Sequence, residues 1–125
     1  MVELKSPENG AKLIFSVVSR YDEGTDFYVE LNCPFGSART TSSTYHYGSP
    51  AEMFRAMAQD WKGWDGEKSW NDLENSLRLR ATSDSTGHIR MEVTLSEYES
   101  KFQTILVLHA GQLEEMADEI GALLP

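Results

Sequence analysis

The chain has 125 residues, 40% of them apolar and 25% charged, which suits one domain with its own hydrophobic core. Twenty acidic against eleven basic residues give a formal charge of -9, which disfavours binding to nucleic acid or to an anionic membrane surface. No segment approaches the roughly 20 apolar residues that a membrane span needs. The single cysteine, Cys33, cannot form a disulfide within the chain, and the first ten residues lack the apolar core of a signal peptide. These features predict a cytoplasmic protein.

The first third of the chain is predicted to form three strands. Residues 12–19 and 26–33 are rich in β-branched and aromatic residues, and the second run alternates between apolar and polar side chains. We expect these two runs to form a β-hairpin. The stretch 38–47 is rich in Thr, Ser and Tyr but has little apolar content, which favours an edge strand. Such an edge could also pair two copies of the chain, so a homodimer stays open.

A helix is predicted from Ser49 to about Trp61. Ser49 can cap the first turn and Glu52 can reach back to it, while Pro50 fits the first helical position. The apolar residues recur every three or four positions and should face the core: Met53, Phe54, Met57, Ala58 and Trp61. The following residues 62–71 show neither a helical nor a strand period, so we expect an ordered loop.

The second half repeats the order of the first. Runs 77–81 and 89–95 alternate as strands do, and the continuous apolar end of 102–108 favours a central strand covered on both faces. Residues 112–124 then have the apolar spacing of a helix. The sequence therefore predicts a single α+β domain over 1–125, an antiparallel sheet in the order βββα-βββα with two helices packed on it.

Negative charge is concentrated in the second half. Residues 1–62 have six basic and eight acidic side chains, a net charge of -2, whereas residues 63–125 have five and twelve, a net charge of -7. A solvated acidic face would explain this excess without any partner. It would also steer a basic partner towards the surface, because complementary fields raise association rates.

All three tryptophans lie within ten residues, in and beside the predicted loop. Trp61 is expected to end the apolar stripe of the first helix. The other two rings either fill the open end of the core or stay exposed for a partner, since tryptophan is enriched in both places. If the loop is a contact surface, its binding residues are Trp64, Asp65, Glu67, Lys68 and Trp70.

Three stretches of the chain stand out together: Trp61-x-Gly63-Trp64-x-Gly66-x-Lys68-x-Trp70-x-x-Leu73-Glu74, Leu77-Arg78-Leu79-x-Ala81-Thr82-x-Asp84-x-x-Gly87-His88 and Leu108-x-Ala110-Gly111-Gln112-Leu113. With these stretches, roughly residues 51–120 resemble a bacterial family of small uncharacterised proteins. This resemblance implies a bacterial intracellular domain and supplies no catalytic residues. In size, charge and compartment the chain is also similar, more loosely, to the immunity proteins that neutralise toxins.

The three histidines do not form a sequence motif for catalysis or metal binding. Asp84 and His88 lie across a turn, where a hydrogen bond between them or an Asx-turn of Asp84 is expected ahead of an acid–base pair. His46 is expected on a solvated strand face, and His109 before the last helix. Since no metal-ligand spacing and no phosphate-binding loop occurs, we expect no cofactor and no metal.

These observations favour a non-enzymatic, acidic protein-binding module over an enzyme. The module, similar in role to the immunity proteins, would engage a basic protein partner through the tryptophan loop and the acidic second half. The alternative is a small-molecule-binding or weakly hydrolytic domain with a pocket near Trp64, Glu67 and His88. That alternative needs a cavity in which polar groups of these residues converge.

Overall fold

The computed structural model describes residues 1–125, which form two four-stranded antiparallel sheets, each followed by a helix. The first sheet consists, in spatial order, of β1 (Val2–Lys5), β2 (Lys12–Tyr21), β3 (Gly24–Cys33) and β4 (Gly36–Ser43), and is followed by α1 (Ala51–Gln59). The second consists of β5 (Lys68–Asn71), β6 (Leu77–Ser83), β7 (His88–Glu97) and β8 (Ser100–His109), and is followed by a 3₁₀ turn (Ala110–Gln112) and α2 (Leu113–Leu123).

The predicted α+β class and the repeated order of strands followed by a helix are confirmed. Each half has one strand more than predicted, β1 in the first and β5 in the second. Both extra strands have only four residues, which is too short for an alternating pattern to stand out. Residues 68–71 were expected in the ordered loop, but β5 pairs with β6 and directs Trp70 inward.

The predicted central position of the last strand is wrong. β8 lies at the edge of the second sheet, next to β7 only. The loop between β1 and β2 occupies its free edge: Ser6 Oγ accepts a hydrogen bond from the Val107 amide at 2.9 Å, and Asn9 Nδ2 donates to the Ile105 carbonyl at 2.7 Å. These contacts give hydrogen-bond partners to backbone groups of β8 that would otherwise be left unpaired at the edge of the sheet. The prediction of an edge strand within 38–47 is confirmed by β4.

The start and the end of α1 also differ from the prediction. Pro50 precedes the first helical residue and is the N-cap, and it makes no side-chain hydrogen bond to the helix. Ser49 Oγ accepts from the Ala51 amide at 3.0 Å and donates to the Leu124 carbonyl, so it joins the start of α1 to the end of α2. Trp61 lies beyond the helix, where its side chain is 55% exposed, and its predicted place on the buried stripe is wrong. The helix ends at Gln59, two residues before Trp61, so the 3.6-residue period no longer determines which way Trp61 faces.

One hydrophobic cluster contains residues from both sheets and both helices. Its largest fully buried side chains include Phe15 and Phe27 of the first sheet, Phe54 of α1, and Leu79 and Met91 of the second sheet. The two helices contact each other, and each also contacts the other half's sheet: α1 contacts β5 and α2 contacts β1. Neither helix has the length and apolarity required to cross a membrane.

Candidate functional site

The tryptophans of the predicted contact surface point towards the core. Trp70 is 8% exposed, and its indole N–H donates to the Gly48 carbonyl at 3.2 Å. Trp64 is half-buried, packs against the hydrophobic cluster, and has its indole nitrogen 3.4 Å from the Ala81 carbonyl oxygen. The rings therefore hold the loop against the rest of the fold, and Trp61 is the one that faces solvent.

The charged residues of that loop form pairs with nearby side chains. Lys68 Nζ lies 2.8 Å from a carboxylate oxygen of Asp60 and 5.2 Å from the centre of the Trp64 ring. Glu67 Oε1 is 4.0 Å from Arg80, at the limit of an ion pair, and Asp65 is exposed. Asp65 and Glu67 lie at the surface, whereas the Trp70 ring is buried and the half-buried Trp64 ring lies beside Lys68.

The small-molecule alternative required Trp64, Glu67 and His88 around one pocket. Glu67 lines a recess of about 110 Å³, whose other walls are Arg80, Thr82, Arg90, Glu92 and Ile105. Neither Trp64 nor His88 contributes to those walls. The recess is therefore narrow and charged, and it does not bring together the residues that the alternative needs.

A broad depression of the surface lies between the two halves of the chain and is lined by tyrosines. It consists of two adjoining recesses, with volumes of about 650 and 380 Å³, that share Thr41, Glu74 and Ser76 in their walls. We call this depression the tyrosine cleft after its four exposed tyrosines, Tyr21, Tyr28, Tyr45 and Tyr98.

The fold brings these rings together from separate elements. Alternation along β3 directs Phe27 and Val29 inward and Tyr28 outward, so Tyr28 lies on the outer face of the first sheet. Tyr98 lies at the tip of the β7–β8 hairpin, in the second half. The turn between β5 and β6 supplies Glu74, and a buried hydrogen bond of 2.7 Å from Ser42 Oγ to Asp72 attaches this turn to β4.

The cleft is acidic. Its walls contain four carboxylates, Asp26, Asp72, Glu74 and Glu97, and one cation, Arg39. The Arg39 guanidinium carbon lies 3.7 Å from the centre of the Tyr28 ring, within cation–π distance. The Tyr21 hydroxyl is 3.0 Å from Ser43 Oγ and donates to Asp26 at 2.8 Å. The Ser43 hydrogen bond lowers the pKa of Tyr21, but the Asp26 carboxylate, desolvation of the hydroxyl and the nearby Glu23 together outweigh it, and the net effect is a raised pKa.

The turn at Asp84 has the Asx form that the sequence suggested. Asp84 Oδ1 accepts hydrogen bonds from the amides of Thr86 at 2.8 Å and His88 at 3.0 Å. These bonds, that of His88 first, hold the pKa of Asp84 below its usual value. The second carboxylate oxygen lies 3.6 Å from His88 Nδ1, too far for a direct hydrogen bond.

Sequence reasoning missed the tyrosine cleft because its walls come from both halves. Residues of β3 and β4 meet the 72–76 turn and the tip at Tyr98 only after the two sheets have docked. The available signals were local and weak: Tyr28 falls on the polar face of its strand, and Tyr98 lies between two glutamates in a predicted turn. Neither signal indicates that the two rings share a cleft.

Comparison with known proteins identifies a family without a described activity. No curated protein and no solved structure matches the chain. The model of a family of unknown function, DUF6228, matches residues 4–125, which extends well beyond the 51–120 over which the sequence resemblance was drawn. Because the match covers nearly the whole chain, from β1 to the end of α2, the protein belongs to the DUF6228 family.

Proposed function

We propose that the protein is a non-enzymatic protein-binding module that takes a basic segment of a partner protein in the tyrosine cleft. The observation on which this rests is Tyr98. Its side chain is 99% exposed and its backbone has φ +55°, in the left-handed region that bulky residues rarely adopt. The fold gains no burial from this ring, and glycine or asparagine would suit the backbone better. An exposed aromatic residue kept in an unfavourable conformation is typical of a functional contact.

The charges of the cleft favour a basic partner. Four carboxylates against one arginine line it, and the whole chain has a formal charge of -9. The contact of Arg39 with Tyr28 illustrates how a guanidinium from a partner could lie on the other exposed rings. Tyrosine is also well suited to such surfaces, because it supplies a large contact area at a low cost in conformational entropy.

A basic toxin is one class of partner that fits these features. The similarity to immunity proteins in size and charge supports this class, since an acidic domain can block a basic active surface. The surface around the exposed Trp61 is the competing contact site, close in the chain to Asp65 and Glu67, the exposed residues of the contact surface that the sequence predicted. The two surfaces can be separated by single substitutions.

The experiment measures binding of fluorescent twelve-residue peptides by anisotropy. One peptide alternates Arg or Lys with Gly and Ser, and the matched peptide has Glu in place of every basic residue. We expect the basic peptide alone to bind, with an affinity that falls as salt is added. Tyr98→Asn should weaken binding by about 10-fold or more, the loss of a contact worth about 1.4 kcal/mol. Asparagine tolerates the left-handed backbone, so this variant should stay folded.

The matched control is Trp61→Ala, which removes an exposed ring outside the cleft. It should leave the affinity for the basic peptide unchanged. If Trp61→Ala weakens binding and Tyr98→Asn does not, the contact surface is the tryptophan segment and the cleft proposal is wrong. Equal binding of the acidic and basic peptides would contradict the proposed partner chemistry.

A further inference from the structure

We infer that Glu8, His88 and His109 form a binding site for a divalent transition-metal ion, with Zn²⁺ as the best-fitting ion. One ligand atom from each side chain lies within 4.8 Å of the other two. The residues come from the β1–β2 loop, the start of β7 and the end of β8, and none of them lines the tyrosine cleft. The site is independent of the proposed protein-binding function.

The two distances from the Glu8 carboxylate to the histidine nitrogens suit a tetrahedral ion. Glu8 Oε1 lies 3.3 Å from His88 Nε2 and 3.4 Å from His109 Nε2. Zinc binds imidazole nitrogen and carboxylate oxygen at about 2.0 to 2.1 Å, so two ligands of a tetrahedron are separated by about 3.3 to 3.4 Å. The carboxylate oxygen therefore already stands at the spacing that both histidine ligands would require.

The backbone places all three ligands before any ion arrives. His88 and His109 are directly paired across β7 and β8, and their ring centres are 5.1 Å apart in a T-shaped arrangement. Glu8 lies between Ser6 and Asn9, the two residues that bind the loop to the edge of β8. The site would thus lose little conformational freedom on binding.

The hydrogen bonds behind His88 leave the correct nitrogen free. Thr86 Oγ1 donates to Asp84 at 2.9 Å, so its oxygen is an acceptor for His88 Nδ1–H, also at 2.9 Å. In the neutral imidazole this arrangement leaves the lone pair on Nε2, the atom that faces Glu8. A second partner that fixes the tautomer and orientation is the usual feature of metal-binding histidines.

The ligand set selects the class of ion. Two imidazoles and one carboxylate suit Zn²⁺ and its first-row neighbours, whereas Mg²⁺ and Ca²⁺ prefer oxygen ligands alone. Three protein ligands leave a fourth position for water, and the histidine side chains, 39% and 45% exposed, are open to solvent. A bound ion would clip the β1–β2 loop to the second sheet.

The test is calorimetric titration of the full, chelator-treated chain with Zn²⁺ at neutral pH, with Mg²⁺ as a parallel titrant. We expect saturable binding of one Zn²⁺ per chain and none of Mg²⁺. His109→Ala and Glu8→Gln each remove one metal ligand. Each should weaken Zn²⁺ binding by about 10-fold or more, because losing even a residue that only hydrogen-bonds to a ligand weakens metal binding by about that factor. Thr86→Val, which removes the hydroxyl that accepts from His88 and donates to Asp84, should weaken it by about 10-fold or more.

The matched control is His46→Ala, since His46 is the one remaining histidine and is not part of this cluster. It should bind Zn²⁺ as the unmodified chain does. Far-UV circular dichroism checks that each variant is folded. If His109→Ala unfolds, Glu8→Gln, at an exposed position, takes its place as the test of ligand loss. Absence of saturable Zn²⁺ binding, an equal loss in His46→Ala, or full binding in folded Glu8→Gln would each overturn the site.

Discussion

Asp72 is one of the side chains that join the second half of the chain to the first. It is 3% exposed, and one carboxylate oxygen accepts from Ser42 Oγ at 2.7 Å. The other accepts from the amides of Ser76 at 2.7 Å and Leu77 at 3.4 Å, which shapes the turn before β6. A buried carboxylate with hydrogen bonds to both halves supports the fold and one wall of the tyrosine cleft at the same time.

We predict that Asp72→Ala lowers the free energy of unfolding by about 2 to 3 kcal/mol, because it leaves buried donors without an acceptor. Asp72→Asn should cost less, since its amide oxygen can still accept from the turn. Urea denaturation with an unchanged m-value measures both losses. Asp65→Ala, at an exposed position, is the control and should stay within about 0.5 kcal/mol. A loss in Asp72→Ala no larger than this control would show that the buried hydrogen bonds contribute little.

The secondary-structure elements were predictable wherever the apolar period was long enough to repeat. β2, β3, β6 and β7 follow such patterns, and both helices show apolar stripes. β1 and β5 have only four residues each, and β8 lies at an edge that is covered by a loop about 100 residues earlier in the chain. The apolar pattern of a short stretch of sequence carries no information about such distant contacts.

The candidate sites were hidden for the same reason. His88 and His109 are 21 positions apart and Glu8 is far from both, so no spacing motif connects them. Their proximity depends on the register between β7 and β8 and on the loop that Ser6 anchors. The tryptophan cluster was conspicuous in sequence, but two of its rings are used for packing.

The contact between the two helices includes a glycine whose replacement by alanine should stabilise the fold. Gly121 lies within α2, where a methyl group at its Cβ position would approach the Arg55 guanidinium to 2.6 Å. That group is the end of a long, flexible and exposed side chain, so it can move aside. Alanine is favoured over glycine in a helix by about 0.8 to 1.0 kcal/mol. We predict that Gly121→Ala raises the free energy of unfolding by about 0.5 to 1 kcal/mol.

The matched control for this prediction is Gly24→Ala at the β2–β3 turn. There the added methyl group would lie 2.8 Å from Thr44 Oγ1 and 3.1 Å from the Tyr45 amide nitrogen. The Thr44 hydroxyl already accepts from the Thr25 amide at 2.8 Å, so neither neighbour can move freely. Thermal denaturation should show Gly121→Ala more stable and Gly24→Ala less stable than the unmodified chain. Destabilisation by Gly121→Ala would mean that Arg55 is held in place.

At the scale of the whole molecule, the two halves have the same element order and cover each other. Each is a four-stranded antiparallel meander followed by a helix. The helix of each half contacts the sheet of the other, and the two helices contact each other. One hydrophobic cluster includes both halves, so neither sheet completes its apolar layer with its own helix alone.

This reciprocal packing predicts that fragments 1–62 and 63–125 are unfolded separately. A chain of about 60 residues buries only about 60% of its unfolded surface, which leaves it marginally stable even with a complete core. Each fragment would also expose the helix face that the other helix covers. Amide NMR spectra of either fragment should therefore be poorly dispersed, and mixing the two should restore a dispersed, native-like spectrum. A well-dispersed spectrum from one fragment alone would show that its four strands and helix suffice, and that the shared cluster only joins two units that already fold independently.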